Sequence, residues 1–180
     1  MNRPKRKLST KMLCLCGLFT ALIAVGTFIR IPLPVIPFTL QTLFILLAGL
    51  LLGKNYASLS CLAYLVLGLI GLPIFTQGGG IGYVLQPTFG YIIGFVLGAW
   101  VIGKIAVTSS YPRLLAASFA GLGVIYLFGA VYYYLLATLY LQKTVAIGAL
   151  LVSCVLTTLP ADCVLALIAA GLAKRLKGHI

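Results

Sequence analysis

Residues 114–136 read LLAASFAGLGVIYLFGAVYYYLL, a run without a single charged side chain. An α-helix rises 1.5 Å per residue, so about 20 apolar residues cross the hydrocarbon core of a bilayer. The run is therefore typical of a membrane-spanning helix. The whole chain is similar, since 62% of its 180 residues are hydrophobic and only 8% are charged. A soluble domain of this size could not bury so much apolar surface, and the alternating pattern of a membrane β-barrel is absent, so the sequence predicts an all-α integral membrane protein.

Five further apolar runs are separated by Gly, Pro and basic residues, which together predict a six-transmembrane-helix bundle. The predicted spans are 12–29, 38–53, 57–72, 90–107, 114–136 and 147–173, with Pro160 inside the last. Residues 1–180 would then form a single membrane domain, which begins with a basic cytoplasmic segment, 1–11, and ends with a basic cytoplasmic tail, 174–180. The first run has the length of a full span and no small-x-small cleavage site follows it, which favours an uncleaved helix over a signal peptide.

The basic residues predict the orientation of this bundle. An even number of spans places both termini on one side, and eleven of the thirteen Lys and Arg residues lie on that side: Arg3, Lys5, Arg6, Lys7, Lys11, Lys54, Lys104, Arg113, Lys174, Arg175 and Lys177. Only Arg30 and Lys143 fall on the other side. Because positive loops stay in the cytoplasm, both termini are predicted to be cytoplasmic in a multi-pass protein of the cytoplasmic (inner) membrane. The same distribution argues against a nucleic-acid partner and identifies the lipid bilayer as the surroundings.

Asp162 is the only acidic residue in the chain, and it lies in the apolar run LPADCVL of residues 159–165. A carboxylate inside a membrane costs about 2.5–3.5 kcal/mol on insertion scales unless it is paired, so it indicates a functional site. It lies twelve residues before Lys174, or about 18 Å of helix, which places it in the outer half of the bilayer. Pro160 predicts a kink or a restart of the helix, with Asp162 in the first turn after it. The alternative is that Asp162 serves only as a helix cap.

Few other side chains are suited to chemistry. The five cysteines have no zinc-type spacing, and the single His179 lies in the basic tail. With one Asp, no Glu and no phosphate-binding loop, the sequence indicates neither an enzyme, nor a metal site, nor a cofactor. Any ATP hydrolysis would be carried out by separate subunits.

Two loops are predicted on the outer side, and the second of them carries no charge. The first contains three prolines in IPLPVIPFTLQ, residues 31–41, which excludes regular helix. The second, residues 71–83, has four glycines within five residues and is followed by QPTFGY, residues 86–91. Glycines allow a backbone to approach a ligand closely, and the aromatic residues Phe75, Tyr83 and Tyr91 could cover one. The alternatives are a rigid connector for the first loop and a plain flexible turn for the second.

These segments resemble the BioY family, the biotin-specific substrate-binding (S) components of energy-coupling factor (ECF) transporters. The resemblance rests on IPLPVIPFTLQTLF from residue 31, GLIGLPIF from residue 68, the glycine cluster, QPTFGY from residue 86 and PAD from residue 160. It covers nearly the whole chain in order, and PFTLQT is its most specific part. It implies a six-helix membrane protein that captures biotin from outside, with energy supplied by a transmembrane coupling subunit and two ATPase subunits. Some members of the family are encoded without those subunits.

The resemblance carries over to individual positions, with three departures. Asp162 matches the binding carboxylate of the family, but Leu165 stands where the family usually has Lys. Gln86 and Phe89 stand where it typically has Gly. The Ala-xxx-Ala of the first helix, which docks the coupling subunit, is represented by Gly17-xxx-Ala21, still small at both positions.

The chemistry of biotin suggests how these residues would be used. Its ureido ring has two N–H donors, which Asp162 could accept, while Arg30 or Lys143 could meet the valerate carboxylate. Neutral donors would be Thr39, Gln41, Gln77 and Thr88, and the apolar rings would pack on Phe75, Tyr83 and Tyr91.

Two other functions stay open at this point: an S component for another vitamin, such as thiamine, and a small channel or structural membrane protein. The sequence also leaves open whether the protein acts alone, as an oligomer or with an ECF module.

Overall fold

The structure is a computed structural model of the chain, and it describes residues 9–33, 36–142 and 146–178. Lys143, His179 and the four basic residues between positions 3 and 7 lie outside the described residues. The described part is mainly helical, as the composition predicts.

Helices account for most of the described chain. They are α1 (Thr10–Phe28), α2 (Gln41–Ile70), α3 (Phe89–Ile105), α4 (Tyr111–Leu135), α5 (Ile147–Leu151) and α6 (Leu159–Leu176). π-Helical turns at Leu136–Tyr140 and Val152–Leu156 extend α4 and join α5 to α6, and a 3₁₀-helix covers Ile81–Leu85. Four segments are long and apolar enough to cross a membrane: Thr10–Phe28, Gln41–Ile70, Tyr111–Tyr140 and Gly148–Leu176, with Phe89–Ile105 as a shorter apolar helix. The described residues therefore form five long helical segments rather than the six separate spans predicted.

Five helical segments are observed in the described residues instead of six because the predicted spans 38–53 and 57–72 are joined in α2. Gly53 in its middle has φ 75° and ψ 171°, outside the helical region and in the range that favours glycine. Gln41 and Tyr64 would be about 35 Å apart in a straight helix, yet both border one pocket. Thr27 of α1 also contacts Tyr64 through their hydroxyl oxygens, 3.1 Å apart. The helix therefore folds back at Gly53, and its two arms, 41–52 and 54–70, run in opposite directions.

The first of the two predicted loops contains a short β-hairpin that the sequence analysis did not predict. Strand β1 (Arg30–Ile31) pairs antiparallel with β2 (Phe38–Thr39), with Arg30 opposite Thr39. The prolines between them leave only two residues of each strand to pair, because proline lacks the donor that a longer ladder needs. This pairing also explains why α2 begins at Gln41 rather than at Phe38.

The second loop is held in one shape by local hydrogen bonds. Phe75 and Gly78 form an isolated antiparallel bridge, and the backbone N–H of Gly80 donates to the carbonyl of Gly68 at 2.7 Å. The side chains of Phe75 and Tyr83 are only 2% and 4% exposed. The loop is therefore packed onto the bundle in this structure, and its aromatic residues are part of the core.

Close packing in the bundle depends on glycines where helices meet. Helix α3 lies between α2 and α4, while α6 packs against α2 and α4, and α1 packs against α2. A Cβ atom at Gly103 would overlap the backbone nitrogen of Lys54, so the turn at Gly53 can only rest on α3 because position 103 has no side chain. The glycines thus permit the backbone contacts that close the bundle.

The described basic residues lie mainly at one end, which we call the basic end. There Lys54 follows the turn of α2, Lys104 ends α3, and the Arg113 Nε donates to the carbonyl of Ile105 at 2.9 Å. The Lys177 ammonium donates to the carbonyl of Ala106 and, at 3.2 Å, to that of Thr108. Helix α1 begins and helix α6 ends at this same end, since the Cys16 thiol donates to the carbonyl of Tyr56 and Lys177 directly follows Leu176. Arg30 lies at the opposite end, which we call the pocket end, beside the two loops.

Candidate functional site

A pocket opens beneath the two loops at the pocket end of the bundle. The empty space of the pocket, including its open mouth and the solvent in it, is about 600 Å³. The wall combines aliphatic and aromatic side chains with a few polar ones. Its polar and tyrosine residues are Thr39, Gln41, Thr42, Tyr64, Thr76, Tyr83, Thr88, Tyr91, Tyr126, Thr158 and Asp162.

Asp162 is positioned by the restart of the last helix. Helix α6 begins at Leu159 with Pro160 in its first turn, and Asp162 follows in that turn, as predicted. The carboxyl group is 5% exposed and faces the pocket rather than lipid. Its Oδ2 accepts a hydrogen bond of 2.5 Å from the Tyr126 hydroxyl of α4. The carboxylate therefore bonds to a neighbouring helix, which does not fit a role limited to capping α6.

The other carboxylate oxygen has no protein partner. Oδ1 of Asp162 is buried, and no described residue reaches it with hydrogen-bond geometry, although Thr42 lies beside the carboxyl group. Nε2 of Gln41 likewise has no described partner with hydrogen-bond geometry, although this side chain, 3% exposed at the start of α2, lies beside the Tyr64 hydroxyl. A buried polar atom without a partner costs about 1–3 kcal/mol. The pocket wall thus contains one residue with an unpaired acceptor and one with an unpaired donor, which a ligand carrying both N–H and C=O groups could satisfy.

Tyrosines form much of the wall, and each is held by its hydroxyl group. The Tyr91 hydroxyl donates to the carbonyl of Cys154 at 2.6 Å, and the Tyr91 ring stands edge-on to Tyr126, with ring centroids 6.5 Å apart. The Tyr83 hydroxyl lies 2.6 Å from Oγ1 of Thr76 and 2.7 Å from Oγ1 of Thr88. These bonds fix the rings, so the apolar faces are ready to receive a flat ligand.

The structure brings together six of the predicted binding residues and separates the others. Thr39, Gln41, Tyr83, Thr88, Tyr91 and Asp162 line the pocket. Phe75, Gln77 and Arg30 line a second pocket beside it, and the Arg30 guanidinium donates to the carbonyl of Thr76. Thr76 borders both pockets. Lys143 lies outside the described residues.

The residues predicted for subunit docking lie on another surface. Gly17 and Ala21 are both exposed on α1, and nothing lies within 4 Å of the position that a Cβ atom at Gly17 would take. Leu165, which replaces the usual Lys of the family, is 7% exposed and does not line the main pocket. The site therefore has no described cation next to Asp162.

Several pocket residues were missed by the sequence analysis, chiefly Tyr126, Tyr64, Thr42 and Thr158. Tyr126 is the most informative, because a tyrosine in the middle of a membrane span needs a partner for its hydroxyl group. That signal was available in the sequence. Its partner was not, since Tyr126 and Asp162 are 36 residues apart and meet only when α4 packs on α6.

Known proteins that resemble this chain share its predicted family. The BioY family model matches residues 2–180. The chain is 45% identical over 171 residues to a probable biotin transporter BioY of Lysinibacillus sphaericus, covering 93% of this chain and 87% of that protein. It is 47% identical over 121 residues to the biotin transporter BioY of Thermotoga maritima, covering 66% of this chain and 72% of that protein.

Comparison of the fold with solved structures indicates the same family. A solved structure, described as the crystal structure at 2.1 Å of the S-component for biotin from an ECF-type ABC transporter, superimposes with a TM-score of 0.82. The two sequences are 28% identical, and the match covers 100% of this chain and 96% of the other. Sequence and structure agree over nearly the whole length. The chain therefore belongs to the BioY family.

Proposed function

We propose that this protein takes up biotin as the substrate-capture component of an ECF-type transporter in the cytoplasmic membrane. The observation that carries the proposal is the unpaired Nε2 of Gln41 and the unpaired Oδ1 of Asp162 in one pocket. The ureido group of biotin has a carbonyl oxygen that can accept from Gln41 and N–H groups that can donate to Asp162. The apolar fused rings would then pack between the tyrosines.

The valerate carboxylate of biotin would leave the pocket near Thr76. Because Thr76 borders both pockets, a chain passing it would approach the Arg30 guanidinium, which now bonds to the Thr76 carbonyl. Arg30 is thus the cation favoured by its position among the described residues, and Lys143 remains the other candidate. Phe75 would support this region from behind, since its ring packs on Tyr83 at 4.5 Å between centroids.

Binding of labelled biotin to the purified protein in detergent tests this function. We expect saturable binding of one biotin per chain, displaced by unlabelled biotin but not by the same excess of thiamine. The family relationship favours biotin over thiamine and over a channel or structural role. Displacement by thiamine would favour the other vitamin, and absence of any saturable ligand would favour a channel.

Six crossings with both termini in the cytoplasm remain our proposal for the topology, with residues 1–180 as one membrane domain. The fold-back at Gly53 supports it, because each arm of α2 then counts as one crossing. The concentration of Lys and Arg at the basic end supports a cytoplasmic location for that end. Labelling of single cysteines placed at Asn55 and at Gln77 from either side of the membrane would test the orientation.

Gln41→Leu is expected to lower biotin affinity by about threefold to tenfold, the usual worth of a neutral hydrogen bond. We expect little change in the stability of the free protein, because Nε2 of Gln41 makes no hydrogen bond of good geometry, although it lies beside the Tyr64 hydroxyl. Gln41→Glu replaces the donor by a second acceptor and should reduce affinity further. Saturation binding together with ligand-free melting temperature measures both effects. Equal biotin affinity in Gln41→Leu and wild type would contradict the assigned contact.

We further propose that the exposed Gly17 and Ala21 of α1 dock the transmembrane coupling subunit, with two ATPase subunits supplying energy. Small residues four apart allow another helix to approach closely. The double substitution Gly17→Leu and Ala21→Leu is expected to abolish copurification of the coupling subunit without changing biotin binding. Gly123→Leu is the matched control, since Gly123 is also exposed with open space at its Cβ position, but on α4. Equal retention of the coupling subunit by both variants would refute this docking surface.

A further inference from the structure

Two lysines from different parts of the chain converge on one tryptophan at the basic end. Lys54 follows the turn in α2, and Lys104 lies in the last turn of α3. Their ammonium nitrogens are 5.8 Å and 4.9 Å from the centroid of the Trp100 ring. Both distances allow cation–π attraction. Together these three side chains form the Trp100 cluster.

No acidic side chain neutralises the two charges of this cluster. Its only acidic side chain is Asp162, which is buried at the pocket end and bonded to Tyr126. Two like charges held on one ring repel each other, and the attraction of an exposed ring for a cation is only about 0.5–1 kcal/mol. An anion from outside the protein would therefore stabilise the arrangement.

The surface beside the cluster is apolar and faces away from the bundle. Trp100 is 38% exposed, and Leu97, one turn towards the pocket end on the same face of α3, is 40% exposed. Leu62 on the adjacent arm of α2 is 43% exposed, and that arm is joined to α3 by the Ser58 hydroxyl, which donates to the carbonyl of Val96 at 2.9 Å. The order from the basic end inward is thus two ammonium groups, an amphipathic indole ring and aliphatic side chains.

We propose that the Trp100 cluster binds the phosphate headgroup of an anionic phospholipid, with an acyl chain lying along Leu97 and Leu62. The lysines supply the charge, and the exposed indole is a side chain that favours the headgroup level. A soluble anion would use the lysines and leave the apolar surface without a role. A zwitterionic lipid carries its own cation beside the phosphate and gains less from Lys54 and Lys104. The site lies at the opposite end from the biotin pocket, so it does not depend on the function proposed above.

Native mass spectrometry of the purified full-length protein, titrated with defined lipids at about 0.15 M salt, tests this site. We expect phosphatidylglycerol to bind more tightly than phosphatidylcholine. The double substitution Lys54→Gln and Lys104→Gln should lower phosphatidylglycerol affinity about thirtyfold, or about fivefold per lysine. Trp100→Leu keeps both charges and should still lower it by about threefold to fivefold. Unchanged biotin binding in each variant shows that the fold is intact.

The matched control is the double substitution Lys174→Gln and Arg175→Gln, which removes the same charge from α6 instead of α2 and α3. We expect the control to keep phosphatidylglycerol affinity within about twofold of the wild type, because among the described residues the cations over the Trp100 ring are Lys54 and Lys104, not those of α6. An equal loss of phosphatidylglycerol affinity in the Lys54/Lys104 variant and in the Lys174/Arg175 control would overturn the proposal. Equal binding of the two lipids by the wild type would also overturn it. Displacement of phosphatidylglycerol by inorganic phosphate at matching concentration would assign the lysines to a soluble anion instead.

Discussion

Asp162→Asn is expected to lower the affinity for biotin by about tenfold to a hundredfold, the usual worth of a hydrogen bond to a charged group. The reason is that the carboxylate of aspartate has two acceptor oxygens, whereas the amide of asparagine has one. In the wild type Oδ2 accepts from the Tyr126 hydroxyl, and Oδ1 is left for an N–H group of the ligand. Asparagine has a single oxygen, so either Tyr126 or the ligand loses its acceptor. The amide NH₂ group then faces a donor.

A second substitution separates this role from a structural one. Tyr126→Phe in the Asp162→Asn background removes the competing hydroxyl, so the amide oxygen can turn to the ligand, and part of the biotin affinity should return. If Asp162 only holds α6 against α4, the double variant should be less stable and bind no better than Asp162→Asn. Saturation binding of labelled biotin, with the ligand-free melting temperature of each variant, distinguishes the two. Wild-type affinity in Asp162→Asn would refute the role assigned to the carboxylate.

Gly129→Ala is expected to have the next largest effect, at a position that does not line the pocket. A Cβ atom there would overlap the Tyr91 ring, which lies in the pocket wall. The ring cannot easily move away, because its hydroxyl bonds to the carbonyl of Cys154 and its edge meets Tyr126. Overpacking of this kind costs about 1–3 kcal/mol. We expect a lower melting temperature and, because Tyr91 is pushed towards the ligand space, weaker biotin binding.

Gly123→Ala is the control for this prediction. Gly123 lies on the same helix, six residues earlier, and nothing surrounds the position of its Cβ. The same substitution there should leave biotin affinity unchanged and should slightly raise stability, since alanine favours a helix over glycine by about 1 kcal/mol. Identical behaviour of the two alanine variants would show that Tyr91 does not restrict position 129.

Much of the fold follows from local sequence. The apolar runs predict helices close to those observed, for example 12–29 against Thr10–Phe28 and 90–107 against Phe89–Ile105. Pro160 predicts the restart of the last helix, because proline removes a backbone donor wherever it occurs. The boundary between 38–53 and 57–72 falls at Gly53, where the observed helix folds back. Each of these features depends on the residues of one short segment.

The candidate site was predictable only in part. Asp162 stands out because a lone carboxylate in apolar sequence has few structural explanations. The two loops stand out through their prolines and glycines. The separation of Arg30, Phe75 and Gln77 from the main pocket could not be predicted, since it depends on the β1–β2 pairing and on the Phe75–Gly78 bridge. Those contacts use backbone groups, which look alike in every sequence.

The sequence alone determined that the protein is a helical membrane protein and where most of its helical segments begin and end to within a few residues, and it singled out Asp162 for the candidate site. Hydrophobicity and proline act within a segment, so they can be read without knowing its neighbours. Only the tertiary structure decided that Gln41 and Asp162 face one pocket with a donor and an acceptor unpaired, and that Tyr126 takes the other carboxylate oxygen. These relations join α2, α4 and α6, and they exist because packing brings together residues that are far apart in the chain.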